Sequence, residues 1–389
     1  MARRRIATGI DIGTHHVKVV VVEEVARESG TLPRVIGTGL IESKGLRHGY
    51  VVNRAEVAES VRAAKMQAEG QARVPIRGAY LAAGGISLDE TRGTGEAIIS
   101  RADQEITELD VEKAKEAARE VAKPNFLNRR ILHEIPLEHR IDGAKALGDP
   151  VGMKGMRLAA DYLFVTCLAQ HADSLVSAVE DADIEVIDQM ASPIAASHVL
   201  LSRDQKMKGC VLANIGAETV SIVVYDEGVP VSVKVFAEGS TDVTDDLALS
   251  FKISLEDAER LKLGKLGGAM YPRRKVESVI AGRFRIMFDL IDKHLKSTGR
   301  GMPLPAGIIL SGGGAGQGFI SDIAKTALGL PSRIADMRLP ENAKIRDATW
   351  AVAYGLAIWG LIEEAGGPSR KPLSGMRRSF GRFLRQFLP

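Results

Sequence analysis

Residues Gly209–Tyr225 read GCVLANIGAETVSIVVY, and the order of runs in this stretch decides the fold. Apolar Cys210–Ala213 enters a polar turn, Asn214-Ile215-Gly216-Ala217-Glu218-Thr219, and the β-branched run Val220–Val224 leaves it. Two apolar runs around a short glycine-containing turn predict a β-hairpin. Glycine lets a ligand lie close to backbone, so such a turn can offer N–H groups to an anion. An ordinary structural hairpin accounts for the stretch equally well. What changes the reading is a second copy. Near the N-terminus Ile6–Val22 reads IATGIDIGTHHVKVVVV, again a strand running into Asp11-Ile12-Gly13-Thr14 and out into Val17–Val22. Both loops carry the frame (Asp/Asn)-Ile-Gly-x-x, about two hundred residues apart. This is the mark of an internal duplication, with each half presenting a hairpin loop to a shared ligand.

The 389 residues suffice for at least two core-bearing domains. A hydrophobic share of 45% with 26% charged residues fits a soluble globular protein. Cys167 and Cys210 both sit in apolar runs without metal-ligand spacing, so they read as buried thiols in a reducing compartment. The basic start, Arg3-Arg4-Arg5, precedes an apolar run that Asp11 interrupts, which argues against a signal peptide. Trp350–Ile362 is too short to span a bilayer and suits a core helix. The net charge is +3, yet the last twenty residues hold six cations and no acid, which leaves −3 for the remainder. A mildly acidic body with a basic tail is not the profile of a nucleic-acid binder.

Along the chain, strands are predicted over Ile6–Asp11, Val17–Val22, Val35–Ile41 and Gly78–Ala83, with a crossing helix over Glu56–Gln67. The Gly/Ser/Thr-rich run Gly84–Gly95 reads as loop. It is followed by a helix at Asp110–Ala122, a strand at Arg130–Arg140 and a turn-rich loop at Pro150–Arg157. Residues 84–160 are therefore expected to form a small α+β insertion. The apolar strand Asp161–Leu168 is expected to return to the first half. The first lobe then comprises 1–83, 161–200 and 345–363. The second lobe comprises 201–250 and 300–344, with 251–299 as a small helical subdomain. Residues 364–375 form a Gly/Pro/Ser linker, and 376–388 a last helix.

Ile308–Gly314 (IILSGGG) is a strand running into three glycines, a place where a ligand can rest on backbone. It lacks the Gly-Lys-Ser/Thr of a P-loop, and no GxGxxG with a following acid appears. Glu259 and Lys262, one helical turn apart, can hold sugar hydroxyls or form a plain i,i+3 surface pair.

Taken together, these motifs resemble the actin/Hsp70/sugar-kinase ATPase superfamily. Within it, the chain resembles a divergent member of the FtsA family of bacterial cell-division proteins. Gly9–Thr14 is similar to the first phosphate motif, Leu212–Thr219 to the second, Ile309–Gly314 to the adenosine motif, and Ala258–Lys262 to the helix that contacts ribose. The segments Gly45–Val52, Ile106–Asp110, Asp149–Arg157 and Pro303–Ala306 are similar to that family in particular. The resemblance implies a duplicated actin-like, ribonuclease-H-like α/β fold with two lobes around an ATP cleft. It assigns phosphate contacts to Asp11, Gly13, Thr14, His15, Asn214, Gly216, Ala217, Glu218 and Thr219. It assigns ribose and adenine contacts to Gly239, Glu259, Lys262, Gly312, Gly313 and Gly314. Mg²⁺ would be held through water by Asp11 and Asn214. Asn214 stands where relatives have Asp, Ala217 and Glu218 replace glycines, and Ser192 stands where Hsp70-like relatives carry Glu. Weak or absent ATP hydrolysis is the expectation, and no catalytic residue is assigned.

In the tail, Met376, Phe380, Phe383, Leu384, Phe387 and Leu388 fall on one helical stripe, with Arg377, Arg378, Arg382 and Arg385 opposite. A detached amphipathic helix of this kind lies in a membrane surface and favours anionic lipids. The family resemblance implies self-assembly into polymers and tethering of FtsZ filaments to the cytoplasmic face of the membrane at the division site. The alternatives are a pilus-assembly adaptor similar to PilM, which lacks such a tail, and a small-molecule kinase of the same superfamily.

Overall fold

A computed structural model describes residues 4–27, 30–268, 270–298, 303–337, 345 and 347–365. The expected membrane helix at 376–388, and the linker from 366 onward, lie outside these residues.

The chain opens with β1 (Ile6–Ile12), β2 (His16–Arg27), β3 (Gly30–Glu42) and the short β4 (Leu46–Arg47) and β5 (Tyr50–Val51). Then come α1 (Arg54–Ala72) and β6 (Gly78–Ala83). Asn53 caps α1 by accepting from the Glu56 N–H, satisfying one of the orphan donors of the first turn. An insertion follows: β7 (Asp89–Ile98), α2 (Glu108–Ala122), β8 (Arg129–Ile141), β9 (Ala144–Lys145) and β10 (Arg157–Leu168). The chain returns through α3 (Ala169–Glu180), β11 (Glu185–Ala191) and α4 (Ser192–Leu200). The second half runs α5 (Arg203–Lys208), β12 (Cys210–Ile215), β13 (Val220–Asp226), β14 (Val229–Phe236), α6 (Ser240–Phe251), α7 (Leu255–Lys262) and α8 (Arg273–Ser297). It ends with β15 (Ile308–Ser311), α9 (Ile320–Leu328), β16 (Ser332–Ile334) and α10 (Ala351–Ala365).

The duplication is explicit in the sheets. The first lobe has strand order β11-β6-β1-β2-β3 and the second β16-β15-β12-β13-β14. In each, two antiparallel hairpins are followed by two parallel strands, one beside the first strand and the other beyond it at the sheet edge. Asp11 pairs with Lys18 beside the first hairpin loop, and Asn214 with Ser221 beside the second. The two halves are two copies of one βββαβ-type plan, the actin-like fold.

Three expectations are corrected by packing. Strand β10 pairs with β7 and β8 from Arg157 to Leu168, so Asp161–Leu168 belongs to the inserted sheet and not to the first lobe. Its apolar character on both faces has a local cause. Leu163, Val165 and Cys167 join the central core, while Leu158, Ala160, Tyr162 and Phe164 join the core under α2. The run Gly84–Gly95, read as loop, contains most of strand β7. Helix α8 buries Val276, Ile280, Phe284, Met287, Phe288 and Ile291 in one cluster with the second sheet, so residues 251–299 are continuous with the second lobe's core. Cys167 and Cys210 are buried free thiols, and burial pushes Cys210 up to about 12. Among the described residues no helix is long and apolar enough to cross a membrane.

Candidate functional site

Between the lobes lies a cleft of about 810 Å³ that opens to solvent. Both hairpin loops and the triple glycine converge on it. Asp11, Gly13 and Thr14 come from the β1–β2 loop, Asn214, Gly216 and Thr219 from the β12–β13 loop, and Gly312 and Gly313 from the end of β15. Seven of its nineteen lining residues are glycine, so over a third of the wall is bare backbone, which suits phosphate oxygens better than apolar ligands. The second loop is closed by the Gly216 N–H donating to the Thr219 carbonyl at 2.8 Å. Helix α6 abuts it, with the Ser240 N–H on the Gly216 carbonyl at 2.9 Å and the Thr241 N–H on the Ala217 carbonyl at 2.8 Å.

The electrostatics centre on Asp11 and Lys18, which face each other across the β1–β2 ladder and both line the cleft. Burial pushes the Asp11 carboxyl up, and the Lys18 charge pulls it back. Burial, with the neighbouring His15 and Lys18, pushes His16 down despite Glu42. Lys18 is the one cation on the wall among the described residues.

Other assigned residues stand beside the cleft instead of lining it. Glu218 does not face the phosphate end. Its carboxylate accepts from the backbone N–H of His48 in the β4–β5 turn of the opposite lobe, and its carbonyl lies 3.3 Å from His48 Nδ1. Ala217 backs onto Gly239, where an added Cβ would fall 2.1 Å from the Ala217 oxygen. Gly314 packs on Ile215. Glu259 and Lys262 are ion-paired at 2.6 Å, and Lys262 also donates to Thr244 Oγ1 at 2.8 Å and to the Ser240 carbonyl at 3.0 Å. Burial pushes the Glu259 carboxyl up, but the hydrogen bonds from Lys262 and Thr244 outweigh it and the net shift is downward. His15 is not among the cleft-lining residues, and its ring packs edge-on against His16 with centroids 4.2 Å apart. Gln317, just past the triple glycine, donates to the Lys262 carbonyl at 3.1 Å and ties the pair to the β15 loop.

The cleft also holds residues to which the sequence assigned no ligand contact: Gly49, Gly84, Gly85, Ser221 and Thr349, with Ser192 beside them. Gly84 and Gly85 follow β6, which occupies in the first sheet the place of β15 in the second. They are therefore the first-lobe counterpart of Gly312–Gly313. The duplication plus the rule that ligands sit at the carboxyl ends of parallel strands held that signal. Ser192, at the start of α4, offers a hydroxyl and no carboxylate.

Comparisons with known proteins agree with this architecture. Residues 91–166 match the SHS2 domain inserted in FTSA, and residues 211–355 match Cell division protein FtsA. The chain is 28% identical over 391 residues to the cell division protein FtsA of Pseudomonas aeruginosa, covering 94% of this chain and 91% of that one. It is 29% identical over 380 residues to that of Bacillus subtilis, covering 92% and 83%. Among solved structures, the PilM-PilN type IV pilus biogenesis complex superposes with a TM-score of 0.67 at 18% identity, covering 91% of this chain and 98% of that one. The ethanolamine utilization protein EutJ from Carboxydothermus hydrogenoformans superposes at 0.54 and 16%, covering 91% and 90%. The SHS2 match falls on the sheet inserted between β6 and β11, and the second match begins in β12 and runs into α10. With its two actin-like lobes, its inserted domain and these relatives, the chain belongs to the FtsA family of cell-division proteins.

Proposed function

We propose that this cell-division protein binds ATP in the interlobe cleft, hydrolyses it slowly or not at all, and links FtsZ filaments to the membrane through its C-terminal segment. The observation that carries the nucleotide reading is the convergence of two hairpin loops and the β15 glycines on one backbone-lined cleft. The residues fit a polyphosphate. Gly13 and Gly216 close their turns by donating to the His16 and Thr219 carbonyls, Gly313 leaves open space beside its backbone, and Lys18 supplies a positive charge. They fit Mg²⁺ less fully, because Asp11 is the one carboxylate on the wall among the described residues and Asn214 is a weaker ligand for a hard cation. A bound Mg²⁺ would neutralise phosphate charge, with Asp11 and Asn214 holding its water shell.

Slow hydrolysis follows from what the wall lacks. A general base must reach the attacking water, and Ser192, with a hydroxyl in place of a carboxylate, is a poor one at neutral pH. The membrane and FtsZ links rest on the amphipathic pattern of 376–388 and on family membership. The likeness to PilM is one of fold, at 18% identity, and carries no pilus role.

The test is titration of the protein with a fluorescent ATP analogue, with and without Mg²⁺, beside the Asp11→Ala variant. Saturable binding weakened by Asp11→Ala supports the reading. No binding at millimolar analogue refutes it, and phosphate release at a kinase-like rate refutes the slow-hydrolysis part.

A further inference from the structure

The inserted sheet grips the second lobe along a single strand, and it does so with side chains. Strand β14 ends the second sheet and has a neighbour only in β13. Its free edge would expose unpaired N–H and C=O groups, a liability that folded proteins cover. Here Glu90, on β7 of the inserted sheet, accepts from the Val233 N–H at 2.5 Å and from Ser232 Oγ at 2.9 Å. Arg92, two residues further along β7, donates to the Val231 carbonyl at 2.9 Å. An acceptor and a donor at i and i+2 thus stand in for a missing strand. Lys234 Nζ meets Asp89 at 2.9 Å beside them, and His294 Nε2 of α8 lies 2.8 Å from Ser232 Oγ, whose residue is fully buried. Lys145 and Glu227 add a contact at 3.2 Å.

The same domain is rooted in the first lobe. Its chain leaves after β6 and returns before β11. Arg130 donates to Gln189 Oε1 at 3.0 Å, and the Ala191 N–H donates to His133 Nε2 at 3.0 Å. A body anchored on one lobe and hydrogen-bonded to the edge of the other resists their separation. We propose that the inserted domain is a strap between the lobes: opening of the cleft requires Glu90 and Arg92 to let go of β14, so the pose of the insert reports whether the lobes are closed. The strap does not depend on which ligand the cleft takes.

Amide hydrogen exchange of the full-length chain, without nucleotide, tests this. Three regions are read: 229–236 at the grip, 45–52 at the His48–Glu218 contact between the lobes, and 210–215 as the central-strand control. In Glu90→Ala, loss of a charge-assisted bond to the Val233 N–H should speed exchange at 229–236 about tenfold. A strap that holds the lobes also requires faster exchange at 45–52, with 210–215 unchanged. Acceleration confined to 229–236 would mean that the insert only covers an edge, and it overturns the proposal. So does no change at either region. If Glu90→Ala also loosens 210–215, the fold itself is weakened. Lys234→Ala, which breaks the bridge to Asp89 at a side chain 35% exposed, then decides by the same criteria.

Discussion

Adjacent glycines at the end of β15 separate the packing of the cleft from its use. Gly312 has φ of +88°, and an added Cβ would lie 2.3 Å from Asn214 Oδ1 and 2.4 Å from the Ile215 oxygen. Ordinary contact begins about 1 Å further out, so the loop would have to move. With ψ of 171° this backbone region is essentially closed to all but glycine and costs an alanine about 1–3 kcal/mol, and overpacking adds about 1–3 kcal/mol. Gly312→Ala should therefore lose roughly 2–6 kcal/mol of stability, a large part of the roughly 5–15 kcal/mol typical of a folded domain. Gly313 is different. It lines the cleft, its backbone is outside the left-handed region, and an added Cβ meets no atom within 4 Å. Gly313→Ala should leave stability unchanged within about 0.5 kcal/mol. A methyl group there stands between the backbone and any ligand resting on it. The loss of one hydrogen bond's worth of contact, about 1–1.5 kcal/mol, weakens a nucleotide analogue roughly tenfold. Urea unfolding and analogue titration of the two variants check both halves. A Gly313→Ala protein that is as stable as wild type and binds with unchanged affinity would refute the idea that the ligand lies on this loop.

Three further outcomes are expected. Burial holds the His133 imidazole down at about 4 while it accepts from the Ala191 N–H, so the unfolded chain takes up a proton below about 6.5 that the folded chain refuses until about 4. Stability is thus lost as pH falls through that window, by roughly 3 kcal/mol for this one group. His133→Gln, which keeps an acceptor but cannot charge, should show a correspondingly shallower acid loss in urea midpoints, and an equal loss would exclude His133 as the source. Asn214→Asp restores a hard-cation ligand, so the ratio of analogue affinities with Mg²⁺ and with a chelator should rise about tenfold or more. An unchanged ratio means that no metal shell forms at this position. Phe383→Glu removes an apolar anchor whose burial contributes about 1.5–3 kcal/mol, and should leave the chain in the supernatant when anionic liposomes are pelleted. Equal pelleting with wild type would remove the tail from the membrane.

The duplicated halves were legible because each hairpin writes its strands and turn within some seventeen residues, and β-branched runs such as Val17–Val22 and Val220–Val224 admit little else. The insert was harder for reasons that the packing explains. Strand β7 reads DETRGTGEAI, and its two glycines suggested loop, since glycine weakens strands. Gly93 and Gly95 lie on the buried face with Ala97, and a Cβ at Gly95 would fall 2.1 Å from the Ala114 oxygen of α2. The alternation is present once glycine is counted as the residue that lets a helix backbone touch the sheet. Strand β10 misled in the opposite sense. Apolar residues on both faces suggest a central strand of a lobe, and its two faces are indeed buried, one against the lobe core and one against α2. In the cleft, the loops that carry a motif were visible, whereas Gly49 and Thr349 arrive from segments that only the folded chain brings near.

The placement of Glu218 bears on whether the second hairpin loop can meet the phosphates of the proposed nucleotide. A carboxylate aimed at the phosphate end would oppose a polyanion with a Coulomb energy of about 4 kcal/mol per charge pair at 4 Å in a partly buried site. The loop avoids this without glycines at positions 217 and 218. Gly216 and Thr219 close the turn through their backbones, Ala217 is backed by Gly239, and Glu218 swings across to the His48 N–H of the other lobe. The turn keeps the shape that backbone recognition of phosphate needs, and its lost glycines cost the cleft nothing in access. Under the proposed nucleotide reading, the charge missing from the cleft is at Asn214 and Ser192, which carry an amide and a hydroxyl. Glu218 has instead become a contact between the lobes.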